Sequence, residues 1–564
     1  MNDSLSLLWP EGKKNCYTEL PEDTLKDLDV AYLVGCIAKT DPEKESIFKI
    51  LSQMPVDQSV VEYRSSIYAD IMEHADFRAA LSDLTKEIQL LGEFSEAKVR
   101  TTDYSSVWDL INRLKELYSY ITCVEKFDAA MREETFESKG LNELKTELRA
   151  LYEQSGFQYL KQDIERLTED IGRVKSLTLG VNLDQDLNPC EVQLVSMNTT
   201  TYTGKDNGIL RAFVTCFAGS MSDSLLKNHN GVDPLMKALT GRVEEMLSTV
   251  ARDMRQTLVQ YVDINGCAIT RFLPELLFYI RFADEMSILK EAGLPVSRAK
   301  CVSREGSVLA GEIASDGDIV SGEDITSDGD TASGGDMKVT GFYNLKLALF
   351  LQRDREQRDE IVTNDLIFDA SHRQYILTGP NRGGKTIFTQ ATGILYLLAQ
   401  AGIYVPAQQM TFVPVDHIYT HFPADENQTV ALGRLGEEAK RIHAIMEHAT
   451  GNSLILLNES LSTTSFSEGL YLARDVVRAL NYMGAKVIFN THMHELATDL
   501  EKLSTGTDNS IVSLVMKIEG QKRSYRAVIA PPTGSSYARD IAQKYGILFD
   551  QMKQVIDQNQ QGMQ

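Results

Sequence analysis

The stretch Tyr375-Ile-Leu-Thr-Gly-Pro-Asn-Arg-Gly-Gly-Lys-Thr386 constrains this chain more than any other. A short apolar run rich in β-branched and aromatic residues breaks into a glycine loop, which feeds an apolar-periodic segment from Ile387 to Ala401. Gly379, Gly384, Lys385 and Thr386 hold the defining positions of the pattern G-x-x-x-x-G-K-[ST]. The spacing has a chemical reason. Glycines let successive backbone N–H groups curl around a polyphosphate, and the following helix N-terminus adds its positive dipole end. Lys385 then reaches the β/γ-phosphates, and Thr386 offers its hydroxyl to Mg²⁺. Gly379, Pro380, Asn381, Arg382, Gly383, Gly384, Lys385 and Thr386 are the candidate nucleotide-binding residues. The competing reading, a glycine turn that binds nothing, does not explain why the strand and helix the motif requires stand on both sides.

A chain of 564 residues exceeds one ordinary core, so more than one domain is expected. Its 43% hydrophobic and 24% charged content reads as globular and soluble. The longest apolar runs, such as Phe272 to Phe282, carry Glu275 and Arg281 and fall short of a membrane span, and Met1-Asn-Asp-Ser has no signal-like start. A cytoplasmic protein with no membrane partner is expected. Seven cysteines are scattered and never in C-x-x-C spacing, which argues for free thiols in a reducing compartment. The net charge of −23 is opposite to a nucleic-acid footprint, so any DNA contact needs a local basic face.

From Leu25 to about Leu179 the pattern is helical. Leu141, Leu144, Leu148 and Leu151, then Leu160, Ile164, Leu167, Ile171 and Val174, step by three and four with a break near Ser155-Gly156. That is a coiled-coil-like seam, serving as core or as a long arm. Residues 186 to 232 lean toward β structure at Val192 to Val195 and Leu210 to Phe217, and helical patterning returns at Pro234 to Val262 and Arg271 to Ala292. Between 311 and 336, Ser315, Ser321, Ser327 and Ser333 recur every six residues with Asp318, Asp324, Asp330 and Asp336, eight carboxylates in all and no Lys or Arg. A calcium-binding repeat and a disordered, dispensable acidic insertion both fit; the composition favours the second. Beyond Gly341 strands and helices alternate, with strands at Tyr375 to Thr378, Ser453 to Leu457 and Lys486 to Asn490, a hairpin at Ile511 to Ala530, and terminal helices from Arg539 to Asp557.

Leu454-Ile-Leu-Leu-Asn-Glu459 is an apolar strand that ends in a polar pair, where nucleotide hydrolases keep a metal-holding Asp and a water-orienting Glu. Asn458 replaces that Asp, so the metal set is Thr386 and Asn458, and weaker Mg²⁺ binding is expected. Glu459 remains as catalytic base. Val487-Ile-Phe-Asn-Thr-His492 ends in a His that can donate to a γ-phosphate from the carboxyl end of its strand.

Together, the glycine loop, the tract Asn458-Glu-Ser-Leu-Ser-Thr-Thr-Ser-Phe-Ser-Glu-Gly469 and Asn490-Thr-His-Met-His-Glu495 resemble the ATPase domain of the MutS family of DNA mismatch-repair proteins, a branch of the ABC-type ATPases. The resemblance is dense over about residues 340 to 545 and thinner upstream, where Met54-Pro-Val-Asp-Gln-Ser-Val-Val-Glu-Tyr-Arg64 looks like the family's core-domain entry. It implies a multidomain chain: a mainly α-helical N-terminal core/lever region at 1–300, an acidic linker at 301–338, and a C-terminal α/β P-loop ATPase domain at 339–564. It further implies ATP and Mg²⁺ as cofactors, a homodimer closed around ATP, and ATP-gated clamping on DNA; the alternative is a slow or non-hydrolysing nucleotide-dependent scaffold.

Departures from the family pattern are specific. Leu461-Ser-Thr463 stands where the family has a Gly-Arg-Gly run, and Ile361 replaces an aromatic residue that would stack on adenine. The signature segment, which the family presents in trans to the partner's nucleotide, reads Leu432-Gly-Arg-Leu-Gly-Glu-Glu438; Gly433 and Gly436 keep its backbone donors without the usual Ser. The family's mismatch-reading module uses a Phe with a nearby Glu. Phe94-Ser-Glu96 and Phe466-Ser-Glu468 lack that context, so the module is expected to be missing.

Overall fold

Capping and apolar spacing account for the N-terminal helices of the computed structural model, which describes residues 5–96, 107–172, 175–183, 185, 189–201, 248–264, 266–303, 335–353, 361–380, 382–423, 433–462, 465–504, 510–519, 522–532, 543 and 545–561. The chain opens with β1 (Tyr17–Glu19), α1 (Glu22–Asp27), α2 (Val30–Ile37), α3 (Asp41–Ser52), β2 (Gln53–Pro55) and α4 (Gln58–Glu73). Thr40 caps α3 by accepting from the Glu43 amide, and Asp57 caps α4 by accepting from that of Ser59. Then come α5 (Ala75–Glu96), α6 (Val107–Arg132), α7 (Lys139–Glu153) and α8 (Ser155–Gly172). The leucine seam breaks where expected, between Glu153 and Ser155. Its members Leu141, Leu144, Leu148, Leu160, Ile164 and Leu167 are buried, so the seam is core.

An antiparallel pair, β3 (Ser176–Leu183) and β4 (Pro189–Asn198), contains the β-leaning Val192 to Val195. Leu210 to Phe217 and the body of the acidic repeat lie outside the described residues. Helices α9 (Ser248–Leu258) and α10 (Leu273–Glu291) follow.

Contacts divide the chain into two compact units. One comprises Met1–Asp3, Ala79–Thr135 and Glu143–Leu273; the other comprises Ser4–Arg78, Phe136–Asn142 and Pro274–Gln564. The first seventy-odd residues therefore pack in the unit that holds the P-loop, a grouping that divisions at residues 300 and 338 do not express.

Among the described residues that second unit contains the antiparallel β1–β2 pair and two larger sheets. The four-stranded one, in the order β5-β9-β6-β7, is formed by β5 (Lys300–Cys301), β6 (Gly335–Phe342), β7 (Asn364–Asp369) and β9 (Gln409–Phe412). The six-stranded one runs β10-β11-β12-β8-β13-β14, from β8 (Gln374–Thr378), β10 (Ile418–His421), β11 (Leu454–Asn458), β12 (Lys486–Asn490), β13 (Ile511–Glu519) and β14 (Lys522–Ile529). All its neighbours pair parallel except β13 and β14, the expected hairpin. Every residue of β8, β11 and β12 is buried, as befits central parallel strands covered on both faces. Between and after them come α11 (Leu345–Arg353), α12 (Lys385–Gln400), α13 (Gly433–His448), α14 (Phe466–Met483) and α15 (Phe549–Gln561).

One expectation needs correction. Asp336, the last carboxylate of the six-residue repeat, belongs to β6 and not to an insertion. It pairs with Arg373 Nη1 at 2.8 Å and Lys486 Nζ at 3.0 Å. Composition assigned it to the acidic run; the buried Lys486 and the half-buried Arg373 claim it for the fold.

Candidate nucleotide site

Register brings the three motif-bearing strands to one edge. Asn490 pairs with Leu377 on β8 and with Asn458 on β11, so β8, β11 and β12 end side by side and their next residues emerge together. This is the carboxyl edge, where open α/β sheets bind ligands. From β8 the chain turns at Gly379, whose φ of 140° and whose approach to Met516 leave no room for a side chain: an added Cβ would lie 2.9 Å from the Met516 Cβ. Gly384 caps α12 with φ 90°, and the Tyr525 ring of β14 lies against it, 3.2 Å from where a Cβ would sit. Arg382 is exposed and left-handed at φ 61°; Pro380 and Gly383 are buried; Asn381 lies outside the described residues.

Lys385 begins α12 and is buried, with Nζ donating to the Gly379 and Pro380 carbonyls at 3.2 and 3.3 Å. Burial pushes its ammonium below the ordinary value, and the nearby Glu459 carboxylate opposes that shift. A buried cation whose hydrogen-bond partners among the described residues are carbonyls gains from an anion. Thr386 Oγ1 donates to Asn458 Oδ1 at 3.1 Å, and Asn490 Nδ2 donates to the same oxygen. Thr386 and Asn458 thus share one small polar site beside the loop, which fits a divalent ion held by few protein oxygens. Among the described residues no group of three or more His, Cys, Asp or Glu could hold a metal.

Glu459 leaves β11 in the left-handed region at φ 51°, its amide donating to Asn490 O at 2.8 Å. His492 follows β12 and is exposed. Two residues on, His494 is held below its ordinary pKa by burial, which Lys385 and His492 reinforce and Glu495 opposes. Gly433 and Gly436 form the first turn of α13, and Leu432 lies outside the described residues. Ile361 is half-buried at the approach to β7.

Comparison with known proteins decides the ancestry of this arrangement. The family model described as MutS domain V matches residues 375–562, and that described as MutS2 N-terminal domain matches residues 56–289. The chain belongs to the MutS family. It is 34% identical over 198 residues to "DNA mismatch repair protein MutS" of Chlorobium phaeobacteroides, covering 35% of this chain and 22% of that protein. The protein of the same name from Thermus aquaticus is 32% identical over 196 residues, covering 34% and 23%. This chain thus spans about a fifth of the length of the curated MutS relatives it matches.

Within this MutS-family site, sequence reasoning missed Asn490, Tyr525, Glu438 and His421. Asn490 stood inside a motif tract and could have been given a role there. Tyr525, held at φ 56° against the loop, carries no local signal.

Proposed function

We propose that this chain binds and hydrolyses ATP with Mg²⁺, that two copies close around ATP with Gly433 and Gly436 facing the partner's nucleotide, and that closure gates a clamp on DNA in repair or recombination. The domain reading, expected as core and lever at 1–300, linker at 301–338 and ATPase domain at 339–564, belongs to this proposal with the linker ending before β6 (Gly335–Phe342) and with Ser4–Arg78 packed in the ATPase-bearing unit.

The observation that carries it is the meeting of Thr386, Asn458, Lys385 and Glu459 at one sheet edge. Lys385 binds and orients the β/γ-phosphates, and the loop amides and the α12 N-terminus share their charge. Mg²⁺, when bound beside Thr386 and Asn458, neutralises charge developing on the phosphoryl oxygens. Glu459 orients the attacking water and takes its proton, while His492 and the neighbouring His494 supply donors on the γ-phosphate side. The scaffold reading is favoured by one fact: Asn458 Oδ1 already accepts from Thr386 and Asn490, so a metal-bound water must compete for it.

The test is ATP binding and steady-state turnover, with and without DNA. Lys385→Ala should abolish binding, and Glu459→Gln should bind ATP, trap it and favour the dimer. ATP affinity unchanged by Lys385→Ala would remove the site assignment; tight binding with no turnover under any condition would leave the scaffold.

A further inference from the structure

The turn that carries Glu459 sits in a conformation that its residues resist. Glu459 and Leu461 have φ of 51° and 62°, in the left-handed region that side chains with a Cβ avoid. Strain of this kind persists only where the surroundings over-determine it. Contacts from β12, β10 and α13 hold it. The Glu459 amide donates to Asn490 O at 2.8 Å, Ser460 Oγ lies 2.6 Å from Nδ1 of His421 on β10, and the Leu461 amide donates to Glu438 Oε2 at 2.8 Å. Glu438 belongs to α13, so the helix that starts with the signature glycines grips the turn directly.

That helix is gripped in its turn by the N-terminal segment. Arg441, on the same face of α13 as Glu438, places Nη2 3.1 Å from Asp27 and Nε 3.1 Å from Asp23, and donates through Nη1 to Phe422 O at 3.2 Å. Asp27 accepts in addition from Thr420 Oγ1 at 2.8 Å and the Phe422 amide at 3.1 Å. Its backbone carbonyl accepts from Gln390 Nε2, on the P-loop helix, at 2.8 Å. One residue of α1 therefore ties together the end of β10, the signature helix and the P-loop helix.

We propose that Asp27 is a positioning residue for the nucleotide site: bound to Arg441, it fixes α13 so that Glu438 keeps the Glu459 turn in its left-handed conformation. The consequence for turnover rests on the reading of Glu459 as the water-orienting base. Asp27 acts through Arg441 and Glu438, and its substitution should alter the turn and leave the phosphate loop intact.

The experiment compares wild type, Asp27→Asn, Glu438→Gln and the double variant of the full chain by amide hydrogen exchange, ATP affinity and steady-state ATPase rate. Each single variant should speed exchange at the Glu459 and Leu461 amides by about fivefold and lower kcat by a similar factor, with ATP affinity unchanged. The double variant should be no worse than Glu438→Gln alone, because the two residues lie on one path. Effects that multiply, or an Asp27→Asn protein with wild-type exchange and kcat, would overturn the proposal. So would equal acceleration at Leu454 to Leu457, which marks general loosening of the sheet. If wild type does not turn over ATP yet the exchange pattern is as expected, the positioning role stands and the catalytic reading of Glu459 falls.

Discussion

Thr386 Oγ1 meets Asn458 Oδ1 at 3.1 Å across the edge of the sheet, and the same oxygen accepts from Asn490 Nδ2. An amide oxygen has two lone pairs, so both are engaged. Restoring the family's carboxylate supplies a negative charge and further acceptor sites. Asn458→Asp should therefore lower the Mg²⁺ concentration needed for half-maximal turnover and raise turnover by roughly tenfold, the factor for about 1.4 kcal/mol. Steady-state ATPase against Mg²⁺ is the measurement. An unchanged Mg²⁺ dependence would mean that Asn458 does not face the metal.

Leu461 occupies a position where the MutS resemblance puts glycine, and its φ is 62°. Leu461→Gly would release strain on the order of 1–2 kcal/mol. It would also empty a site only 2% exposed, in the cluster formed by Ile455, Leu457, Val487 and Phe489. Losing a buried leucine costs about 2–5 kcal/mol, so the cavity outweighs the relieved strain and the variant should be less stable by roughly 2 kcal/mol. Urea unfolding checks the sign, and a stabilised variant would show that the strain dominates.

The parts of this site that were legible in the sequence are those whose physics is local. A parallel strand buried on both faces must be continuously apolar, which is why Leu454–Asn458 and Lys486–Asn490 could be placed within a residue, and a phosphate loop must have its glycines in order. What escaped is what register and distant pairing decide. The strands Gly335–Phe342 and Asn364–Asp369 alternate with polar residues and carry weak signals. Asp27 and Arg441 lie 414 residues apart, and neither has a local reason to seek the other. The Asn490 amide mattered only once β12 was known to lie between β8 and β11.

His421 gives a pH signature. It is 1% exposed, and burial, with Arg441 adding to it, pushes its pKa from 6.5 down to about 4. The folded state thus refuses a proton that the unfolded state accepts, so this residue's contribution to stability is present above pH 6.5 and is lost as pH falls toward 4. The span corresponds to roughly 3 kcal/mol. His421→Gln should flatten the stability profile between those limits relative to wild type, as measured by denaturant unfolding at a series of pH values; parallel profiles would place a protonated imidazole in the fold.

Asp336 offers the sharpest test of where the acidic segment ends. Lys486 is 1% exposed, and its Nζ lies 3.0 Å from Asp336 Oδ2, the same oxygen that Arg373 Nη1 approaches at 2.8 Å. Burial pulls the Asp336 pKa up, but Lys486 and Arg373 outweigh it and hold the carboxyl below its ordinary 3.8. Its stabilisation is therefore present above the unfolded pKa and is lost as pH falls through the lower folded one. Asp336→Asn keeps the shape of the side chain and removes the charge, leaving the buried Lys486 ammonium beside the half-buried Arg373 guanidinium. Breaking a buried pair from one side costs about 3 kcal/mol, so this substitution should be strongly destabilising at neutral pH. Deleting residues 311–336 should be at least as harmful, because it also removes the start of β6, whereas deleting 311–334 should leave the melting temperature and ATPase rate unchanged. Thermal unfolding of the three variants decides it: equal melting temperatures for the two deletions would return Asp336 to the insertion and remove it from the sheet.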